Sequence, residues 1–137
     1  MTANQAREIL YARMLAAWAP PTSTPAVVFG NEGFDSTGVA EYARMIVRHT
    51  DGGQETLGGP GLRKFLRRGL VLVQLYVAAD RGLQRMDALQ QSLLDDVFEA
   101  QTLSQVYLHD GVYRELGPED GYERGTVTVQ FFYEDQK

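Results

Sequence analysis

The sequence contains no cysteine and only two histidines among its 137 residues. Without cysteine the chain can form no disulfide bond and has no thiolate to act as a nucleophile or metal ligand, which suits a reducing compartment. His49 and His109 have no partner at the spacing of a zinc motif, and a histidine beside a turn is usually incidental. We therefore expect neither a metal site nor a catalytic histidine.

Long apolar segments are also missing. The longest, Leu70 to Ala79, contains Gln74 and is too short to cross a bilayer. Charged residues interrupt the N-terminal stretch in which a secretory signal would need an apolar segment. We therefore predict a chain that is assembled in the cytoplasm and does not enter a membrane.

Basic residues are in the minority, since 13 lysines and arginines against 18 aspartates and glutamates give a net charge of −5. Free binding to duplex nucleic acid needs a basic surface, so we do not expect it. Hydrophobic residues make up 44% of the chain, which is enough for one packed core. We predict a single domain over residues 1–137.

Apolar residues spaced three and four apart predict two helices. The first covers residues 3–18, and Thr2 with Gln5 has the spacing of a capping box. Tyr11 and Leu15 lie off its buried stripe, where they are either ordinary exposed apolar residues or contacts with a neighbouring subunit. The second helix follows Asp80, a candidate N-cap, and continues to Ala100.

Alternation of apolar and polar residues predicts the strands. They cover residues 26–29, 41–49, 63–78 and 125–133. A further hairpin is predicted in which residues 106–108 and 112–116 flank a tight turn at Asp110-Gly111, followed by another turn at 117–121. This order predicts an α+β fold, with a mostly antiparallel sheet and both helices packed on one face.

A glycine-rich segment, residues 50–62, separates two of these strands, and we predict that it is a long flexible loop. Its most glycine-rich part is Gly58, Gly59, Pro60 and Gly61. A phosphate-binding loop is excluded, because Lys64 lies between Arg63 and Phe65 and lacks the flanking glycine and hydroxyl residue. Two interpretations stay open: a tolerated surface insertion, or an arm that reaches a neighbouring subunit.

The strand over residues 63–78 is apolar on both faces, although two helices can cover only one face of the sheet. Leu70, Leu72 and Tyr76 lie on the face that the helices leave open. A contiguous exposed apolar surface usually marks an interface. We therefore predict that a second copy of the chain covers these three residues.

One basic cluster precedes this strand, formed by Arg63, Lys64, Arg67 and Arg68. It is either a solvated strand entrance that prevents edge aggregation or a contact with an acidic partner, including another copy of the chain. Acidic residues that could complement it across a subunit boundary are Glu115, Glu119, Asp120 and Glu123.

No group of residues has the pattern of an active site. Asp95, Asp96 and Glu99 lie on the outward side of the second helix, where carboxylates usually serve solubility. No serine lies in a G-x-S-x-G elbow. We therefore predict that the chain is not an enzyme and has no cofactor-binding, metal-binding or catalytic residues.

The segment TLGGPGLRKFLRRGLVLVQLYVAADRGL and the later segment LLDDVFEA resemble the tail-terminator, or tail-completion, proteins of long-tailed phages and prophages. The resemblance covers nearly the whole chain in order and length, and it concerns structural rather than catalytic positions. The corresponding positions are Pro20–Pro21, Gly58–Gly61, Arg67 to Val77, Gly82, Phe98 and Phe131 to Tyr133.

The resemblance implies a structural protein of the virion, located where the tail joins the head. Members of the family form a homo-oligomeric ring, typically a hexamer, which caps the tail tube, ends its polymerisation and offers a docking surface to the head connector protein. It implies that DNA passes through the ring without specific binding and that no cofactor is needed. The alternatives are a head–tail connector or neck protein and, from a different class, a small enzyme or ligand-binding domain that uses the glycine loop as a lid.

Overall fold

The computed structural model describes residues 1–30, 32–79, 83–99, 103 and 105–137. Within those residues the chain forms two helices and a five-stranded sheet, so the predicted α+β fold is confirmed. In chain order the elements are α1 (Ala3–Ala17), β1 (Ala26–Phe29), β2 (Glu41–Gln54), β3 (Lys64–Ala78), α2 (Leu83–Ser92), a π-helical segment (Leu93–Phe98) that continues α2, β4 (Tyr107–Glu119) and β5 (Tyr122–Gln136).

The strand order is β1-β2-β3-β5-β4. The short strand β1 runs parallel to β2, and the other neighbours are antiparallel. The core lies between the two helices and one face of this sheet, because the side chains that point to that face are buried. On β3 these are Val71, Val73, Leu75 and Val77, as the alternation predicts.

The helix α1 begins at the predicted capping box. The Gln5 amide donates to Thr2 Oγ1 at 3.2 Å, and the Thr2 amide donates to Gln5 Oε1 at 2.8 Å. Further along α1, Arg13 donates to the carbonyl oxygens of Asp96 and Val97, near the end of the π-helical segment, at 2.9 and 3.2 Å. A cation there suits the carbonyl end of a helix, and it fixes α1 against the π-helical segment.

The predicted boundaries of the second helix are met in part. Asp80, Gly82 and Ala100 lie outside the described residues. The buried face carries Met86, Leu89, Leu93 and Val97, as predicted, whereas Leu83 is 50% exposed.

The prediction of a loop over residues 50–62 was wrong at its N-terminal end, where residues 50–54 belong to β2, whereas residues 55–62 lie outside the strands as predicted. β2 continues to Gln54 and pairs with β3 from Asp51–Arg68 to Gln54–Phe65, beyond a bulge after His49. β3 also pairs with β5 as far as Lys64–Gln136. Because ladder hydrogen bonds do not depend on side chains, two glycines do not prevent this extension. We call residues 50–68 the arm, and only residues 55–63 at its tip lie outside the strands.

The predicted hairpin around Asp110-Gly111 was also wrong. β4 passes through this dipeptide as one strand paired to β5, with a bulge between His109 and Val112. Asp110 takes the positive φ of 54° within that bulge. The hairpin turn lies instead at Asp120-Gly121, with φ values of 52° and 80°, inside the predicted turn at 117–121. An Asp-Gly pair marks a place where φ turns positive, and bulges use that conformation as hairpin turns do.

Candidate interaction surface

The face of the sheet opposite the helices, here called the outer face, is organised in rows, because residues directly opposite each other on neighbouring strands point to the same side. The middle row is Ile46, Leu72, Thr128 and Val112. The rows on either side are Arg44, Gln74, Thr126 and Arg114, and Arg48, Leu70, Gln130 and His109. The outer face therefore has an apolar centre with arginines towards both sheet edges.

The centre of the outer face is open to a partner. Val112 is 58% exposed and Leu116 is 44% exposed, while Leu70 and Leu72 are partly exposed. Leu72 lies in a recess of about 380 Å³, which is open towards β4 and is also lined by Val112, Leu116 and Thr128. Leu70 and Leu72 therefore lie where the sequence predicts them, on the side of the sheet away from both helices.

Tyr76 is covered by its own chain, which the sequence did not predict. Its ring stacks on Tyr42 with centroids 4.4 Å apart, and Tyr122 meets both rings edge-on. Tyr122 in turn places its hydroxyl 2.7 Å from the Val39 carbonyl oxygen, to which it donates. Burial, followed by the neighbouring tyrosines, raises the pKa of Tyr42. Of the three predicted contact residues, Leu70 and Leu72 thus depend most on an external partner.

The arginines of the outer face differ in how far their charge is compensated. Arg124 pairs with Glu119 at 2.6 Å. Arg44 donates to the carbonyl oxygens of Gly30 and Glu32 at 2.9 and 3.0 Å, and Arg48 and Arg114 are exposed. Within the part of the chain that the structure describes, none of Arg44, Arg48 and Arg114 pairs with a carboxylate.

The predicted basic cluster is not gathered on one face. Lys64 and Arg68 point to the outer side, whereas Arg67 lies opposite Tyr133 on the other side, with its guanidinium 5.2 Å from the Phe65 ring centroid. Three of the four cations meet acids that the sequence did not single out. The pairs are Lys64–Glu134 at 3.9 Å, Arg67–Asp135 at 3.9 Å and Arg68–Asp51 at 3.6 Å. Long, partly exposed pairs of this kind contribute little stability, but they compensate much of the cluster's charge within the chain.

The tip of the arm presents leucine side chains from a hydrogen-bonded loop. Leu57 is 96% exposed and Leu62 is 67% exposed. The Leu62 amide donates to the Gly59 carbonyl at 2.9 Å, and Arg63 Nε donates to the Gly58 carbonyl at 3.1 Å. The turn passes through Pro60 and Gly61, where φ is +85°, a conformation that glycine adopts without strain. The predicted glycine segment therefore holds two exposed apolar anchors at the end of the arm.

The two histidines lie in different surroundings. His49 Nε2 is 2.7 Å from the Tyr133 hydroxyl, and its ring meets Phe131 edge-on. Burial, followed by the charges of nearby arginines, lowers the pKa of His49. His109 is exposed, and its Nδ1 atom lies 2.9 Å from Asp110 Oδ2.

The described residues contain neither a metal-binding cluster nor a membrane-spanning helix. Among residues 1–30, 32–79, 83–99, 103 and 105–137, no group of three or more histidine or carboxylate side chains has the geometry to hold a metal ion. In the same residues no helix is long and apolar enough to span a membrane.

Comparison with known proteins adds no relative. A scan of the chain against models of protein families matches none of them, and a search of curated protein sequences finds none that is similar.

Proposed function

We propose that this chain is a structural protein of phage tail assembly, which forms a homo-oligomeric ring on the end of the tail tube. In this role it ends tube polymerisation and offers a docking surface to the head connector. The observation that carries the proposal is the outer face, a sheet surface with an exposed apolar centre and uncompensated arginines. An exposed apolar patch with a charged rim usually marks an interaction site, and each subunit of a ring needs such a site for its neighbour.

The arm supports the same proposal. Its tip places Leu57 and Leu62 in solvent, and exposed leucines on a projecting hairpin suit insertion into a neighbouring protein. Because Lys64, Arg67 and Arg68 form ion pairs within the chain, they attract an acidic partner only weakly. We propose that the arm contacts the last ring of the tube or the adjacent subunit through its apolar tip.

Tube elongation in vitro tests the proposal. The purified chain is added to growing tubes of the tail-tube protein from the same phage or prophage, and tube length is followed by electron microscopy. We expect elongation to stop, with a ring visible at the tube end. The variant Leu57→Asp/Leu62→Asp should keep its fold, because both side chains are exposed, and should stop elongation less well. Tubes that grow to the same length with and without the chain would contradict the proposal.

A head–tail connector or neck protein is the alternative within the same class. Such a protein would bind the assembled tail or head without stopping free tubes. Binding to completed tails that leaves elongation unaffected would therefore favour this alternative.

A further inference from the structure

The two sides of the molecule carry exposed charge of opposite sign. On the outer face, Arg44, Arg48 and Arg114 have no carboxylate partner in the described residues. Carboxylates at the margins of that face pair within the chain. These are Asp51 with Arg68, Glu119 with Arg124 and Glu134 with Lys64. Asp110 contacts His109, and this contact is an ion pair only when the imidazole is protonated. The positive charges of Arg44, Arg48 and Arg114 are therefore not balanced by an ion pair within the described residues.

The helix layer has the opposite pattern. Among the described residues of the helices and Glu99, which follows the π-helical segment directly, the exposed charged side chains are all acidic, namely Glu8, Asp87, Asp95 and Glu99. The cations of the same helices are directed to oxygen atoms of the chain. Arg7 donates to the Val47 carbonyl, Arg13 to the Asp96 and Val97 carbonyls, and Arg85 to Glu41. The outward surface of the helices is therefore acidic.

This arrangement decides how two copies can meet. If the outer faces of two copies met symmetrically, the arginine rows of one would lie against those of the other, and desolvated like charges repel strongly. If the outer face of one copy meets the helix layer of the next, arginines face carboxylates. The helix layer also offers an apolar contact, since Leu15 is 66% exposed and shares a stripe with Glu8 and Ala12 at helical spacing.

We infer that copies of this chain associate front to back, with the outer face of one subunit covering the helix layer of the next. The row of Ile46, Leu72 and Val112 packs against α1 around Leu15, and Arg48 and Arg114 meet carboxylates of the two helices. A head-to-tail contact of this kind closes into a ring or grows into a filament, depending on the rotation between copies. The inference deepens the proposed function and rests on it only in requiring self-assembly.

Cross-linking tests the inference directly, because the chain has no cysteine of its own. The single variants Leu72→Cys and Leu15→Cys, carrying tags of different size, are mixed and treated with a short bismaleimide. We expect the mixed product to exceed either homodimer by about tenfold, since only that pair brings outer face and helix layer together. Leu72→Cys cross-linking to itself as efficiently, or no product at the highest soluble concentration, would overturn the inference.

Charge reversal provides the second readout, by sedimentation velocity. Arg48→Glu/Arg114→Glu and Asp95→Arg/Glu99→Arg should each weaken association by about tenfold or more. Asp35→Arg, an exposed change in the loop between β1 and β2, outside both surfaces and the arm, should not. Combining both reversals in one chain should restore association. Circular dichroism checks that each variant is folded, and failure of the combined chain to recover would overturn the inference.

Three further outcomes separate the alternatives. If the reversals at Arg48 and Arg114 leave association unchanged but abolish binding of a labelled DNA duplex, the outer face is a nucleic-acid surface and the inference falls. If cross-linking succeeds and tube elongation is unaffected, the front-to-back contact stands and the proposed tail role fails. The reverse result, stopped elongation with no mixed cross-link, removes the inference and keeps the role.

Discussion

Replacing Arg85 should lower the free energy of unfolding, because this side chain connects three separate parts of the chain. Its Nε and Nη2 atoms bind the two carboxylate oxygens of Glu41 at 2.9 and 2.5 Å. The same guanidinium donates to the Pro21 carbonyl at 2.6 Å and the Ser23 carbonyl at 2.8 Å. The hydrogen bonds to Glu41 raise the pKa of Arg85 above its usual value. One side chain thus joins α2, the start of β2 and the connection after α1.

The magnitude follows from burial. The side chains of Arg85 and Glu41 are only 16% and 13% exposed, so Arg85→Ala removes both hydrogen bonds that the guanidinium donates to a largely buried carboxylate. Removing one member of a fully buried pair costs about 3–5 kcal/mol, and each carbonyl that loses a donor adds about 1 kcal/mol at most. Residual solvent access lowers the sum, and we expect a loss of about 2–4 kcal/mol in the free energy of unfolding.

Urea denaturation followed by circular dichroism measures this loss, with the slope of the transition checked for constancy. Arg85→Lys should recover only part of it, because an ammonium cannot bind both oxygens of Glu41 and two carbonyls in the same plane. The matched control is Arg68→Ala, which breaks the pair with Asp51 at 3.6 Å, where the side chains are 55% and 61% exposed, and should cost less than about 1 kcal/mol. Equal losses for Arg85→Ala and Arg68→Ala would refute the reasoning.

Two other substitutions probe the core and the half-buried His49. A Cβ atom at Gly125 would lie 2.4 Å from Gln90 Nε2 and 2.7 Å from Met86 Sδ. Gly125→Val should therefore displace these two buried side chains and lower the free energy of unfolding by about 1–3 kcal/mol, whereas Gly53→Val, with open space around it, should not. Because burial holds the folded pKa of His49 below its ordinary value, the unfolded chain takes up the proton first as pH falls. Stability should therefore be full above about pH 6.5 and decline as pH falls towards the folded pKa. Urea midpoints measured across this range should show a smaller decline for His49→Gln, and an unchanged decline would assign it to other groups.

The parts of the fold that depend on side-chain alternation could be predicted from the sequence, while those that depend on backbone pairing could not. The inward face of β3 follows directly from its valines and leucines. The outer half of β2 carries Asp51, Gly52, Gly53 and Gln54, residues with little preference for a strand. They form one because β3 and the end of β5 extend beside them, which is a long-range effect. The bulge at Asp110 was missed for a similar reason, since a local turn signal does not show whether the next segment folds back or continues.

The interaction surface shows the same division. Leu70 and Leu72 could be found from the doubly apolar strand, and the basic cluster from its adjacency in sequence. The arginines that matter more for the outer face were missed, because Arg44, Arg48 and Arg114 come from two distant strands. They share a face only through the register of β2, β3, β5 and β4. The one signal available was the alternation of Arg44 and Arg48 with Ile46 along β2, which marks a mixed face without showing its extent.

The arm and the outer face differ in whether their cations form ion pairs within the chain. The cations of the arm have acidic neighbours within the chain, so a partner gains little electrostatic energy there and meets mainly Leu57 and Leu62. On the outer face Arg44, Arg48 and Arg114 form no ion pair with a carboxylate of the described residues, and an apolar row lies between them. Charged groups around an apolar centre fix the orientation of a partner, while the centre excludes water and supplies the affinity. The outer face therefore suits a contact with one defined geometry, and the arm suits a contact made through shape and apolar area alone.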